Sequence, residues 1–140
     1  MKLLISVLVA LIVAGCTLPA DNMTSDRYSS VVQKPVEKPY AGLWSGTSGS
    51  ALMTLRIDKD GRGISCSSRD GKDSVSKLKL SDGTLYFQDG TKMALTYADG
   101  YIDGTPSSPS TDSQTIRFAR DTGLINASPY CRERLQQPYL

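Results

Sequence analysis

The side chains that could do chemistry in this 140-residue chain are three cysteines, a scatter of aspartates and a serine-rich stretch; histidine is absent. That absence removes the commonest general base and the commonest metal ligand at neutral pH. Asp58-Lys59-Asp60-Gly61 has the opening of a calcium loop. A helix-loop-helix site needs an oxygen ligand at its fifth position and a bidentate Glu at its twelfth. Arg62 and Arg69 stand at those places, so the segment reads as a hairpin turn. Asp89, Asp99 and Asp103 could supply paired carboxylates for acid–base work, yet nothing in the sequence gathers them, and turn aspartates ordinarily bond their own backbone. Ser107, Ser108, Ser110 and Thr111 have neither a Gly-x-Ser-x-Gly elbow nor a histidine partner, and read as a solvated loop. No metal, no cofactor and no enzymatic activity is implied.

The cysteines carry more information, beginning with the stretch that ends at Cys16. Met1-Lys2 supplies a positive start, Leu3 to Val13 is an apolar run of eleven residues interrupted by Ser6, and Ala14-Gly15-Cys16 closes it. Eleven residues fall well short of the ~20 that a spanning helix needs, so the stretch reads as a secretory signal. Its end, Ile12-Val13-Ala14-Gly15-Cys16, resembles the lipobox of bacterial lipoproteins. The resemblance implies cleavage between Gly15 and Cys16, a diacylglyceryl group on the Cys16 thiol that palmitate would label, and anchoring in the cell envelope. In that family an Asp after the cysteine favours inner-membrane retention. Thr17 therefore points to the outer membrane, facing the periplasm.

Once Cys16 is given to lipid, Cys66 and Cys131 remain. An exported pair in an oxidising compartment most simply forms a disulfide; two free structural thiols are the alternative. Such a bond would close a loop of about 65 residues, worth roughly 4 kcal/mol in the chain-entropy model. A catalytic thiol would lack a histidine to activate it. Without Lys2 the mature chain carries 15 basic and 14 acidic side chains. With no block of like charge, nothing points to nucleic acid. The implied partners are the membrane, through the N-terminal lipid, and an envelope protein.

Positioning these residues falls to three segments: a signal peptide over 1–15, a lipidated N-terminus and flexible tether over 16–39, and a folded domain over 40–140. Thr17 to Pro39 has three prolines, little apolar content and no period, as a tether would. From Tyr40 onward, short apolar-alternating runs recur about every ten residues between turn dipeptides. The runs are Gly42–Thr47, Ser50–Asp58, Gly63–Ser68, Ser74–Leu80, Thr84–Gln88, Lys92–Ala98, Tyr101–Asp103 and Gln114–Arg120. Asp82-Gly83, Asp89-Gly90 and Asp99-Gly100 suit tight hairpins. Ser128-Pro129 is an N-cap and first position for a short helix to about Leu135. The expected fold is all-β, an antiparallel up-and-down meander of about eight short strands closing into a small barrel with a C-terminal helix.

Gly42-Leu43-Trp44 on the first strand, with Arg120 on the last, resembles the lipocalin and calycin barrels. There a Gly-x-Trp lies near one barrel end beneath a basic side chain from a late strand, which implies a Trp44–Arg120 cation–π contact of about 0.5–2 kcal/mol. The domain also resembles small bacterial lipoproteins with a Gly-Leu-Trp-Ser-Gly start and a late Pro-Tyr-Cys. Met53, Leu55, Ile57, Leu78, Leu80, Phe87, Leu95, Ile116 and Phe118 form a bulky inward set, so a mostly filled core is expected. Tyr86, opposite in phase to Leu85 and Phe87, is expected to face outward as a surface contact. The reading that follows is a lipid-anchored envelope protein acting as a non-enzymatic structural or protein-interaction module. Its alternatives are a calycin-like binder of a small hydrophobic ligand and an inhibitor of a lytic enzyme such as lysozyme. A cavity of a few hundred Å³ inside the sheet favours the binder.

Overall fold

The computed structural model describes residues 25–107 and 114–138. The signal peptide, Gly15 and Cys16 lie outside the described residues, as do Ser108, Ser110 and Thr111. The elements are α1 (Asp26–Ser30), β1 (Gly42–Ser48), β2 (Ala51–Ile57), β3 (Arg62–Arg69), β4 (Lys72–Ser81), β5 (Thr84–Phe87), β6 (Lys92–Ala98), β7 (Tyr101–Pro106), β8 (Ile116–Arg120) and α2 (Pro129–Gln136). Each strand pairs antiparallel with the next, and β8 returns to β1 through Trp44↔Arg120 and Gly46↔Phe118, closing an eight-stranded barrel. Closure gives every strand a neighbour on both sides, which removes the open edge strands of a flat sheet.

Local chemistry explains the meander. At Asp82-Gly83 and Asp99-Gly100 both residues take positive φ (49° and 77°, 53° and 82°). Tight two-residue hairpins need that geometry because its twist matches the flanking strands. Between turns, period-two alternation sends one face of each strand inward. Leu55, Ile57, Leu78, Leu80, Phe87, Leu95, Ile116 and Phe118 form the barrel core together with Trp44, Leu85, Met93 and Ile102, and Met53 packs at its edge.

A second, smaller core lies outside the barrel. Ile64 and Cys66 point away from the lumen and pack with Leu124, Ala127, Cys131 and Leu135. Ser128 caps α2, its hydroxyl accepting from the Cys131 amide at 3.1 Å. Cys66 and Cys131 are joined by a disulfide, with Cα atoms 5.5 Å apart, so α2 is tied to β3. At its other end, the Arg56 guanidinium donates to the carbonyls of Leu135 and Gln137, which no helical amide satisfies.

The structure corrects the expected tether in its second half. Residues 25–39 run along the outside of the barrel as a strap. Tyr28 is buried, Lys79 Nζ donates to the carbonyls of Tyr28 and Val31 at 3.0 and 2.9 Å, and the ammonium sits 4.4 Å from the Tyr28 ring centroid. The Lys34 and Val36 amides donate to Leu80 and Lys59 carbonyls, and Lys34 Nζ pairs with Asp82 at 2.9 Å. Low hydropathy concealed this packing, since backbone hydrogen bonds, two lysines and one buried tyrosine hold the strap rather than an apolar stripe.

Candidate functional site at the barrel mouth

In a meander, alternate hairpins fall at opposite ends of the barrel. The β2–β3, β4–β5 and β6–β7 turns define one end, and this end is closed. Trp44 is fully buried there, its indole N–H donating to the Tyr40 carbonyl at 3.0 Å. The Arg120 guanidinium lies 4.2 Å from the Trp44 ring centroid and donates to the carbonyls of Ala41 and Pro39 at 3.2 and 3.1 Å. Tyr97 meets Trp44 and Tyr40 edge-on, at centroid distances of 6.5 and 6.1 Å. Gly42, at φ 133°, lies so close beneath the Arg120 guanidinium that a Cβ would collide with it, which gives the Gly-x-Trp spacing a physical reason. The plug closes the lumen at this end; outside it, between the strap and the β4–β5 turn, Lys34, Val36, Tyr40, Leu80 and Asp82 line a separate hollow of about 360 Å³.

The opposite end is open. β5 pairs only with Leu78–Ser81 of β4, so the first half of the ten-residue β4 rises beyond it and the wall gapes beside the β5–β6 turn. A cavity of about 450 Å³ occupies this mouth. Its apolar side is Met53, Phe87, Met93 and Ile116; its polar side is Ser65 and Ser67 from β3 with Ser74 and Ser76 from β4. Register sets Ser65 opposite Ser76 and Ser67 opposite Ser74, so the four hydroxyls form a ladder. The ladder climbs from buried Ser65 through half-buried Ser67 and Ser76 to exposed Ser74 at the rim. The Ser65 hydroxyl donates to the Ser76 carbonyl at 3.3 Å. Asp89 and Lys92, of opposite charge, stand at the rim. The expectation of a mostly filled core therefore holds for the closed half and is corrected for the mouth, where serines replace bulky inward side chains.

The carboxylates named from the sequence are held apart. Asp89, proposed above as one of a carboxylate set, accepts from the Thr91 amide and hydroxyl at 2.9 and 2.7 Å, and Asp99 lies at the other end of β6. Asp103 takes both its oxygens to Arg117 at 2.8 Å, and this hydrogen bonding holds its carboxyl below the usual carboxylate range. Asp60 is taken up by Arg62 at 2.6 Å rather than opened to a cation. Tyr86 faces outward in register with Lys79 and Lys92 and is half-buried. The serine ladder escaped sequence reasoning, although a signal was present: Ser-x-Ser occurs on both sides of the Asp70-Gly71 turn at equal spacing. Apolar Ile64 and Cys66 mask it, because by composition they look like the inner face of β3.

A closed eight-stranded meander, plugged at one end by tryptophan under arginine and hollow at the other, is a lipocalin-type barrel. Residues 25–135 match the family described as "Bacterial lipocalin LPS transport optimiser YedD", and the chain belongs to that family. The crystal structure of a lipoprotein YedD from Klebsiella pneumoniae subsp. pneumoniae MGH 78578 is similar in fold, with a TM-score of 0.52 and 20% identity, over 81% of this chain and 100% of that one. No curated protein matches in sequence.

Proposed function

We propose that this protein is a lipid-anchored, non-enzymatic lipocalin of the bacterial envelope that receives the apolar tail of an amphiphile in its mouth, in support of lipopolysaccharide transport. The observation that carries the reading is the mouth itself. Its 450 Å³ fall within the ~300–1,000 Å³ typical of small-molecule sites. An acyl chain would lie against Met53, Phe87, Met93 and Ile116, while an ester, amide or hydroxyl near its head would meet the serine ladder. Lipopolysaccharide, named in the family's description, is an amphiphile with such linkages. The cavity accommodates part of one chain rather than a whole lipid, which fits a role assisting transport better than bulk carriage. Lipidation at Cys16, cleavage after Gly15 and an outer-membrane site facing the periplasm complete the reading, supported by the lipobox and Thr17.

The test uses the mature chain carrying Cys16→Ala, titrated with an environment-sensitive fatty-acyl probe and then with lipopolysaccharide as competitor. Ser67→Trp, which fills the mouth, is expected to weaken probe binding at least about tenfold, or ~1.4 kcal/mol, without lowering thermal stability. Probe binding indifferent to Ser67→Trp, or no displacement by lipopolysaccharide, refutes the reading. Loss of palmitate incorporation in full-length Cys16→Ala tests the anchor; equal labelling would exclude it.

A further inference from the structure

The strap has a direction that bears on how the mouth meets its ligand. At Ser25 the chain is beside the β5–β6 turn: the Ser25 amide donates to the Gln88 carbonyl at 2.9 Å. A Cβ on Gly90 would stand 2.8 Å from the Ser25 hydroxyl. Gly90 and its neighbours Asp89 and Thr91 line the mouth cavity. From this rim the strap descends the outer wall, pinned in turn by Lys79, Leu80 and Asp82, and reaches the closed end at Tyr40, whose carbonyl receives the Trp44 indole. The chain therefore enters the folded unit at the open end and cannot leave from the closed end while the strap is docked.

Eight residues, 17–24, separate Cys16 from Ser25. Nine such steps span at most ~30 Å. Strands of seven residues are ~23 Å long, and tilted about 35–45° to the axis they make a barrel ~17 Å tall. With the strap docked, a lipid on Cys16 would hold the mouth rim within ~30 Å of the bilayer, while the closed end is free to lie one barrel height further out. If the strap were free, the attachment point would move to the closed end near Tyr40 and the preference would vanish. We infer that the docked strap is an orienting device that turns the open mouth of the barrel toward the lipid surface, so that an acyl chain passes between leaflet and cavity without crossing bulk water. The inference rests on the lipid-anchor reading of Cys16 and adds to it a facing.

The test uses full-length lipidated protein in vesicles of phosphatidylethanolamine and phosphatidylglycerol containing a nitroxide-labelled lipid. A fluorophore is placed either on Lys72→Cys, exposed at the mouth end, or on Lys59→Cys, exposed at the closed end, with the Cys66–Cys131 bond verified by mass spectrometry. Flotation with the vesicles is scored first. Failure to float removes the anchor reading and the inference together. For floating protein, quenching several-fold stronger at position 72 than at 59 is expected; equal or reversed quenching overturns the facing alone and leaves the anchor standing. Tyr28→Ala with Lys79→Ala, which releases the strap, is expected to erase the difference while acyl-probe binding in the mouth persists. Retention of the full difference in that variant, verified as folded by circular dichroism, would overturn the strap as its cause. Should the variant not fold, the comparison between positions 72 and 59 still decides the facing.

Discussion

Removing the Cys66–Cys131 cross-link tests how the outer core supports the barrel wall. The perturbation is Cys66→Ala with Cys131→Ala, alongside wild type in reductant, which separates the cross-link from the volume lost to alanine. The bond spans 65 residues, and restricting the unfolded chain over such a loop contributes about 4 kcal/mol. A domain of this size has a total stability of ~5–15 kcal/mol, so the bond is a large share of it. With a melting shift of ~3–6 °C per kcal/mol, both arms should lose about 12–25 °C in thermal unfolding followed by circular dichroism. The structure also predicts where the loss appears. Once untied, α2 retains the burial of Leu135 and the Arg56 cap at its C-terminus, whereas the barrel keeps its whole ladder of strand pairings. Amides of α2 should therefore exchange with solvent well before those of β1, β2 and β8. A melting loss below about 3 °C in both arms, equivalent to under ~1 kcal/mol, with α2 protection unchanged, would refute the reasoning. The apolar cluster beneath α2 would then suffice to hold the helix.

Two further perturbations address the closed end and the loop that precedes α2. Arg120→Ala removes the stack on Trp44 and two donors to Pro39 and Ala41, and is expected to cost about 1–3 kcal/mol in denaturant unfolding. Mouth binding should be unchanged, and a cost near zero would mean that the plug holds without its cation. Burial pushes the Asp121 carboxyl up, but the Ser45 hydroxyl and the amides of Ile125 and Asn126 outweigh it and leave it below its ordinary value. A depressed folded pKa stabilises fully above the unfolded value of about 3.9 and loses that contribution as the pH falls through the folded value. Asp121→Asn should thus be less stable than wild type by a constant margin from neutral pH to about pH 5, narrowing below about pH 4; a margin that does not narrow on acidification would sink the assignment.

The meander was legible in the chain because its causes are local. Asp-Gly pairs demand left-handed turns, alternating apolar residues demand a two-faced strand, and Ser128-Pro129 opens a helix. These preferences act within a few residues of one another, and eight strands and α2 form at the expected places, with two corrections: β7 runs on to Pro106, its 104–106 half held by pairing with β6, and Asp89-Gly90 lies in a four-residue β5–β6 turn where only Gly90 takes positive φ. Trp44 and Arg120 could be paired because the resemblance to lipocalin barrels nominated them. Period two, however, states only that a strand has two faces; which face becomes lumen depends on what covers the other. Ile64 and Cys66 went outward because α2 and the 121–127 loop shelter them, and that turned Ser65 and Ser67 inward. The mouth exists because β5 is short beside β4, a mismatch that has meaning only once the two are in register. The strap docks through Lys79, through backbone carbonyls and through one buried tyrosine, none of which marks a polar, proline-bearing segment as folded. The sequence by itself determined the strands, the turns and the capped helix, through short-range sterics and periodicity. Where the cavity opens, and which end of the barrel the chain enters, only the tertiary structure decided, because both depend on contacts between residues far apart in the chain.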